Sequence, residues 1–227
     1  MTVTPTLVTR AAAAASVAAG AIFIGVQIKH PHLDITSITT TEMLIRGSLK
    51  VVMAALAVAG ITGMYLSRIR RNGLLGLIGY VALAAGYLLI MSTAFAAAYV
   101  VPHVAGSDPS FTRDVIAVAT SKPVTGDLGA LGVLWQAQGY LYLVGGTVFG
   151  IALFRARVLA RWATVLLAIG GLVSAALSMM PDAFYRLLAF PNGVAMIGLG
   201  YSLWRVAGQD GERTGRVAEA RREQAAV

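Results

Sequence analysis

Cysteine is absent from the chain, which excludes disulfides, thiolate metal sites and a cysteine nucleophile, and leaves the redox compartment without a mark. Charge is scarce as well, at 12% of residues against about 25% in soluble proteins. Histidine occurs three times. The sequence holds no GxxxxGKS/T phosphate loop, no GxSxG elbow and no HExxH pair. The net charge of +8 does not make a nucleic-acid surface, because the basic residues sit in short stretches beside apolar runs and form no water-exposed face. Nucleic acid is therefore excluded as a partner.

What fills the chain is apolar: 57% hydrophobic residues with a mean hydropathy of +0.74. Such a composition needs a lipid bilayer around it. Runs at about 11–28, 47–66, 74–101, 128–154, 158–180 and 183–204 are each long enough to cross a hydrocarbon core of about 30 Å. The expected fold is all-α, a polytopic bundle of about six transmembrane helices over residues 1–205, followed by a charged tail at 206–227. The first run, bounded by Arg10 and Lys29, competes with a cleaved signal peptide, but it is longer than a usual signal core and lacks a clear small-residue cleavage site.

Orientation follows from Lys and Arg, which favour the cytoplasmic side. With the N-terminus inside, the inner set of Arg10, Arg68, Arg70, Arg71, Arg155, Arg157, Arg161, Arg205, Arg213, Arg216, Arg221 and Arg222 numbers 12, against 6 outside. Both termini are expected in the cytoplasm. Thr39 and Glu42 have capping-box spacing before the second span, and Glu42, Arg46 and Lys50 share one helix face. In the long loop at 102–127, the spacing of Phe111, Val115, Ile116 and Val118 fits a short amphipathic helix as well as it fits a plain loop. Ala59 to Arg70 laid over Gly146 to Arg157 gives a faint repeat of a helical hairpin.

Small residues line up at Ala55, Ala59 and Gly63, at Gly146 and Gly150, and at Gly170, Ser174 and Ser178. In lipid such rows are where helices approach one another, chiefly inside one chain and, in a minority of cases, in a homo-oligomer or with a membrane partner. Polar groups within spans point more directly to function, because each is costly in hydrocarbon unless paired. The candidates for an outward-facing polar cavity are Gln136, Asn192, Ser92, Thr93, Lys50 and Arg186, with Gln138 beside them. The competing reading is that these residues hydrogen-bond between helices while Lys50 and Arg186 reach the headgroups. Pro191, next to Asn192, would leave the carbonyl of Leu187 without its helical donor.

At the outer ends of three spans a proline precedes a potential metal ligand: His32, His103 and Asp182. Imidazole and carboxylate suit zinc, copper or iron. The opposing reading is that proline ends helices and a polar residue commonly follows. No cofactor is expected apart from a transition metal at this outer face, since no histidine lies inside a span to ligate haem. No nucleophile pairs with a base, so the balance leans away from an enzyme.

Two stretches, Gly25-Val-Gln-Ile-Lys-His-Pro-His-Leu-Asp34 and Met180-Pro-Asp-Ala-Phe-Tyr-Arg-Leu-Leu-Ala-Phe-Pro-Asn-Gly193, resemble uncharacterised multi-pass membrane proteins of high-GC actinobacteria. The resemblance implies a bacterial plasma membrane and carries no activity and no site residue. Three functional classes follow: a small carrier or channel with an outward-facing polar cavity, a structural or regulatory membrane subunit, and a membrane enzyme or metal-binding protein using the outer His and Asp residues. The first stands marginally ahead.

Overall fold

The computed structural model describes residues 3–177 and 189–225, and every regular element among them is helical. Helix α1 runs Pro5–Gly25, starting six residues earlier than the apolar run because Thr4 caps it, its hydroxyl accepting from the Leu7 N–H at 3.2 Å, with Pro5 in the first turn where its missing donor costs nothing. Helix α2, Thr41–Ser67, follows a short 3-10 turn at Ser37–Thr39. Its cap is Thr40, not Thr39: Thr40 accepts from the Met43 N–H at 3.4 Å, while the Thr39 hydroxyl donates to the Thr36 carbonyl at 2.9 Å. The capping box read from the sequence does not form: three residues after Thr40 stands Met43, and Glu42 pairs with Arg46 instead.

Helix α3, Ile69–Phe95, is kinked at Gly73 (φ 57°) and passes through a π-helical turn at Ala96–Val100 into α4, Val101–Val104. Helix α5, Pro109–Ala119, is N-capped by Asp108; α6 covers Ala130–Ala156, α7 Arg161–Leu177 and α8 Ala189–Ala225. The segment at 206–225 is therefore helical and continuous with the sixth long helix. Four stretches are long and apolar enough to cross a membrane: Pro5–Gly25, Thr41–Ser67, Ile69–Val104 and Ala130–Ala156, with Arg161–Val173 a shorter apolar helix.

Each long helix packs along two others, and the order α1, α2, α3, α6, α7, α8 closes on itself where α8 meets α1. Neighbours are antiparallel, so one end of the bundle carries Arg68 and Arg157 and the opposite end carries the histidines. One apolar cluster runs through all six helices. Ala13, Ile61, Leu83, Phe149, Leu167 and Leu199, one from each, expose at most 1% of their surface. The perimeter is apolar too, with Leu74, Val133, Leu172 and Trp162 all more than half exposed. An apolar outside over an apolar inside is the arrangement of helices embedded in lipid.

Two seams bring backbones into direct contact. Between α3 and α6, a β-carbon at Gly79 or Gly145 would strike the main chain at Phe149 or Leu83, and one at Gly86 would lie 2.8 Å from the Tyr142 nitrogen. Between α1 and α8, Gly193 and Gly200 meet the carbonyls of Gly20 and Ala13 at 2.9 and 2.7 Å from where a β-carbon would stand. Close approach of this kind replaces the hydrophobic effect, which gives little between helices in lipid. The rows at Gly63, Gly150 and Gly170 also face partners within the chain: Ala12, Ala168 and Asn192.

At the histidine end a second, smaller cluster joins Ile38, Val101 and Val115, with Phe111, Ile116, Leu128 and Trp135 against it. The amphipathic spacing in the long loop does form a helix, α5, and its apolar face packs on protein, capping the start of α6. The faint hairpin repeat is not matched locally. Chain reversal after α2 runs over residues 68–73, with breaks at Arg68 (φ −146°) and Gly73 (φ 57°), whereas α6 ends on Arg157 in the left-handed region (φ 54°) and three further residues precede α7.

Candidate functional site

Ser92 and Thr93 follow each other on α3 and so face about 100° apart, a geometry that sends one in and one out. Thr93 is buried, and its hydroxyl donates to the Gln138 amide oxygen on α6 at 2.6 Å. Ser92 is exposed and donates back to the Leu88 carbonyl at 3.0 Å. Gln136, two residues before Gln138, likewise turns to the exposed perimeter. Asn192 is 2% exposed and lies against Gly170 of α7, where a β-carbon would collide with its amide oxygen. The expected cavity set is thus divided: Thr93 and Asn192 lie in helix seams and Ser92 and Gln136 outside the bundle. Arg186 lies outside the described residues, as does Leu187.

Lys50 joins a network at the histidine end. Its ammonium lies 3.4 Å from His30 Nε2, while His30 Nδ1 lies 2.8 Å from the Pro31 carbonyl oxygen. An ammonium can only donate, so Nε2 accepts and the ring proton sits on Nδ1, donating to Pro31. One turn earlier, Arg46 pairs with Glu42 at 2.8 Å and donates to the carbonyls of Val26 at 2.7 Å and Ile28 at 3.2 Å. These two cations of the Glu42–Arg46–Lys50 face therefore tie the chain leaving α1 to the start of α2.

His32 and His103 are both exposed, and Asp182, the third expected metal ligand, lies outside the described residues. Among the described residues no three His, Asp or Glu side chains gather as a metal-binding group. The acidic residues of this end serve the backbone. Asp34 accepts from the Ser37 N–H at 2.7 Å, and that bond, helped by Thr36 and the nearby His32 and opposed by burial, holds its carboxyl below the ordinary value. Asp114 gathers the loop after α5, accepting from the Thr125 N–H at 3.0 Å and the Gly126 N–H at 2.9 Å, and its carboxyl is lowered first by Thr125.

Several polar contacts were not singled out by sequence. Ser16 of α1 donates to the Met196 carbonyl of α8 at 2.7 Å. Thr62 and the Tyr80 hydroxyl meet at 3.0 Å, and Tyr80 stacks on Tyr65 with ring centres 5.1 Å apart. Asn72, 5% exposed, donates to the Tyr65 carbonyl at 2.9 Å and so closes the end of α2. The one legible signal was the Asn72-Gly73 pair, a turn dipeptide directly after an arginine group.

At the arginine end, α1, α2 and α8 leave a cleft of about 1000 Å³, lined among others by Thr4, Val8, Ala15, Ala59, Arg68 and Asp210. Arg68 and Asp210 pair across its mouth at 2.5 Å. The cleft lies at the end of the bundle opposite to that of the expected cavity. No known protein family, curated protein or solved structure matches the chain.

Proposed function

We propose that the chain is a six-span integral protein of a bacterial plasma membrane, with both termini cytoplasmic, acting as a structural or regulatory subunit. The observation that carries this reading is how the intramembrane polar groups are spent. Ser16 bonds α1 to α8, Thr62 bonds α2 to α3, and Thr93 bonds α3 to α6, around an interior filled by one apolar cluster. A carrier needs polar groups that stay available to water or solute near the middle of the bundle. The carrier reading draws less support, because Gln136 and Ser92 stand apart from Asn192. The arginine bias supports the orientation.

The absence of native cysteine makes the test clean. Single substitutions Thr93→Cys, Gln138→Cys and Asn192→Cys are treated with a membrane-impermeant maleimide in sealed vesicles of each orientation. A subunit of this build leaves all three unlabelled, while Arg71→Cys labels from the cytoplasmic side only. Labelling of residue 192 or 93 from water would overturn the subunit reading in favour of a carrier, and labelling of residue 71 from outside would overturn the orientation.

A further inference from the structure

Arginine is unevenly matched with acid at the end of the bundle that carries it. Arg68 has Asp210, but Arg70, Arg71, Arg155, Arg157 and Arg161 are all exposed, and among the described residues no carboxylate pairs with any of them. The sequence explains why. No Asp or Glu occurs between Glu42 and Asp108 or between Asp127 and Asp182, so neither short connection, α2 to α3 nor α6 to α7, has an acid of its own. The five arginines gather because their helices do. Gly76 of α3 lies against Ala152 of α6, where a β-carbon on the glycine would stand 3.7 Å from the alanine methyl. Arg71 and Arg157 lie on the same side of that contact, because α3 and α6 run antiparallel and one helix begins where the other ends. The Arg161 guanidinium stands 4.3 Å from the centre of the Phe154 ring and so joins the end of α6. Like charges held this close repel one another, and a bound anion relieves that repulsion.

We propose that this patch binds one phospholipid with two phosphates, of the diphosphatidylglycerol type, one phosphate on Arg70 and Arg71 and the other on Arg155, Arg157 and Arg161. The residue type selects phosphate. Every lysine of the chain, Lys29, Lys50 and Lys122, belongs to the histidine end, and the opposite end uses only guanidinium, whose planar fork meets phosphate oxygens in pairs. The surroundings select a lipid over an acidic protein. Ile69, Leu74 and Trp162 stand among the arginines and are 48%, 72% and 57% exposed, positions that acyl chains cover and a partner in water would leave bare. The arrangement selects two phosphates. The arginines form two groups on adjacent helix ends, and packed helix axes lie about 8–10 Å apart. A three-carbon bridge between the phosphates brings the second one to its group at high effective concentration, whereas two single-phosphate lipids must each be held separately. The inference rests on the bundle lying in a bilayer, as proposed above, and not on its orientation or its role as a subunit.

The experiment is native mass spectrometry of the full chain, released from phosphatidylethanolamine nanodiscs that hold diphosphatidylglycerol and phosphatidylglycerol at equal phosphate content. One diphosphatidylglycerol should be retained in preference by at least about tenfold, a modest share of what linking two contacts supplies. Arg71→Gln and Arg155→Gln should each lower its retention about fivefold, the contribution of one arginine near a charged headgroup. Arg113→Gln, at the histidine end, should leave it unchanged. All three positions are exposed, and an unchanged melting temperature shows that loss of lipid is loss of binding. Equal retention of the two lipids, full retention by both Arg71→Gln and Arg155→Gln, or a loss at Arg113→Gln as large as at Arg71→Gln would overturn the proposal. A chain that fails to enter nanodiscs would overturn the membrane reading and this inference with it, whereas a chain that enters and shows no preference overturns the inference alone.

Discussion

Gly170 on α7 and Asn192 on α8 are so close that a β-carbon at residue 170 would collide with the asparagine amide oxygen. A methyl at 170 must push the helices apart or turn the amide. Gly170→Ala is expected to destabilise the protein by about 1–3 kcal/mol, the usual cost of overpacking. Combining it with Asn192→Ala should recover part of that loss. Thermal unfolding of the two single variants and the double variant checks this, and additive losses would place the two residues out of contact.

The Thr93–Gln138 hydrogen bond between α3 and α6 should contribute about 0.6 kcal/mol, the average for such bonds in membrane helices. Thr93→Val keeps the shape and deletes the donor. A double-mutant cycle with Gln138→Leu measures the coupling. The same change at Ser92, Ser92→Ala, should be nearly silent, because that hydroxyl serves only its own helix.

Helix α1 is built into the bundle from both sides: Gly60 of α2 and Gly200 of α8 each leave only the space that Ser16 and its neighbours fill. The mature protein is therefore expected to keep residues 5–25. Intact mass of protein taken from membranes decides the point, and an N-terminus beyond residue 28 would restore the signal-peptide reading.

Asp114 contributes stability with a defined sign in pH. Its carboxyl is held below the ordinary value, chiefly by the Thr125 N–H, so the contribution is fully present above the unfolded value and is lost as pH falls through the folded one. Hydrogen exchange at Thr125 and Gly126 should stay slow at neutral pH and quicken in acid below the usual carboxylate range. Asp114→Asn should give fast exchange at every pH.

Approximate helix positions were legible in the sequence because length and apolarity set them, though the starts at Thr4 and Thr40 were not, and α5 was only half legible, since its apolar spacing suited a plain loop as well. Rotation about the axis was not legible. A helix apolar all round offers lipid and core the same chemistry, so nothing in the run around residue 92 says that Thr93 turns inward and Ser92 outward. The same ambiguity sends Gln136 to the perimeter and Gln138 to the seam. Glycines resolve it only in retrospect, once Gly79 and Gly145 are seen to face main chain. The Arg68–Asp210 pair was hidden for another reason: its members are 142 residues apart, and no local pattern reports a contact across the closing seam.

That closing seam has a consequence for how the protein is made. Helix α1 leaves the ribosome first and α8 last, yet the Gly20 surface is completed only by Gly193 and Ile197. Through the synthesis of every helix between them the bundle remains an open arc, with the carbonyl edge of α1 facing lipid or whatever escorts nascent spans. Any chain that stops before Gly193 keeps that edge bare, and so carries on its first helix a label that the protein is unfinished.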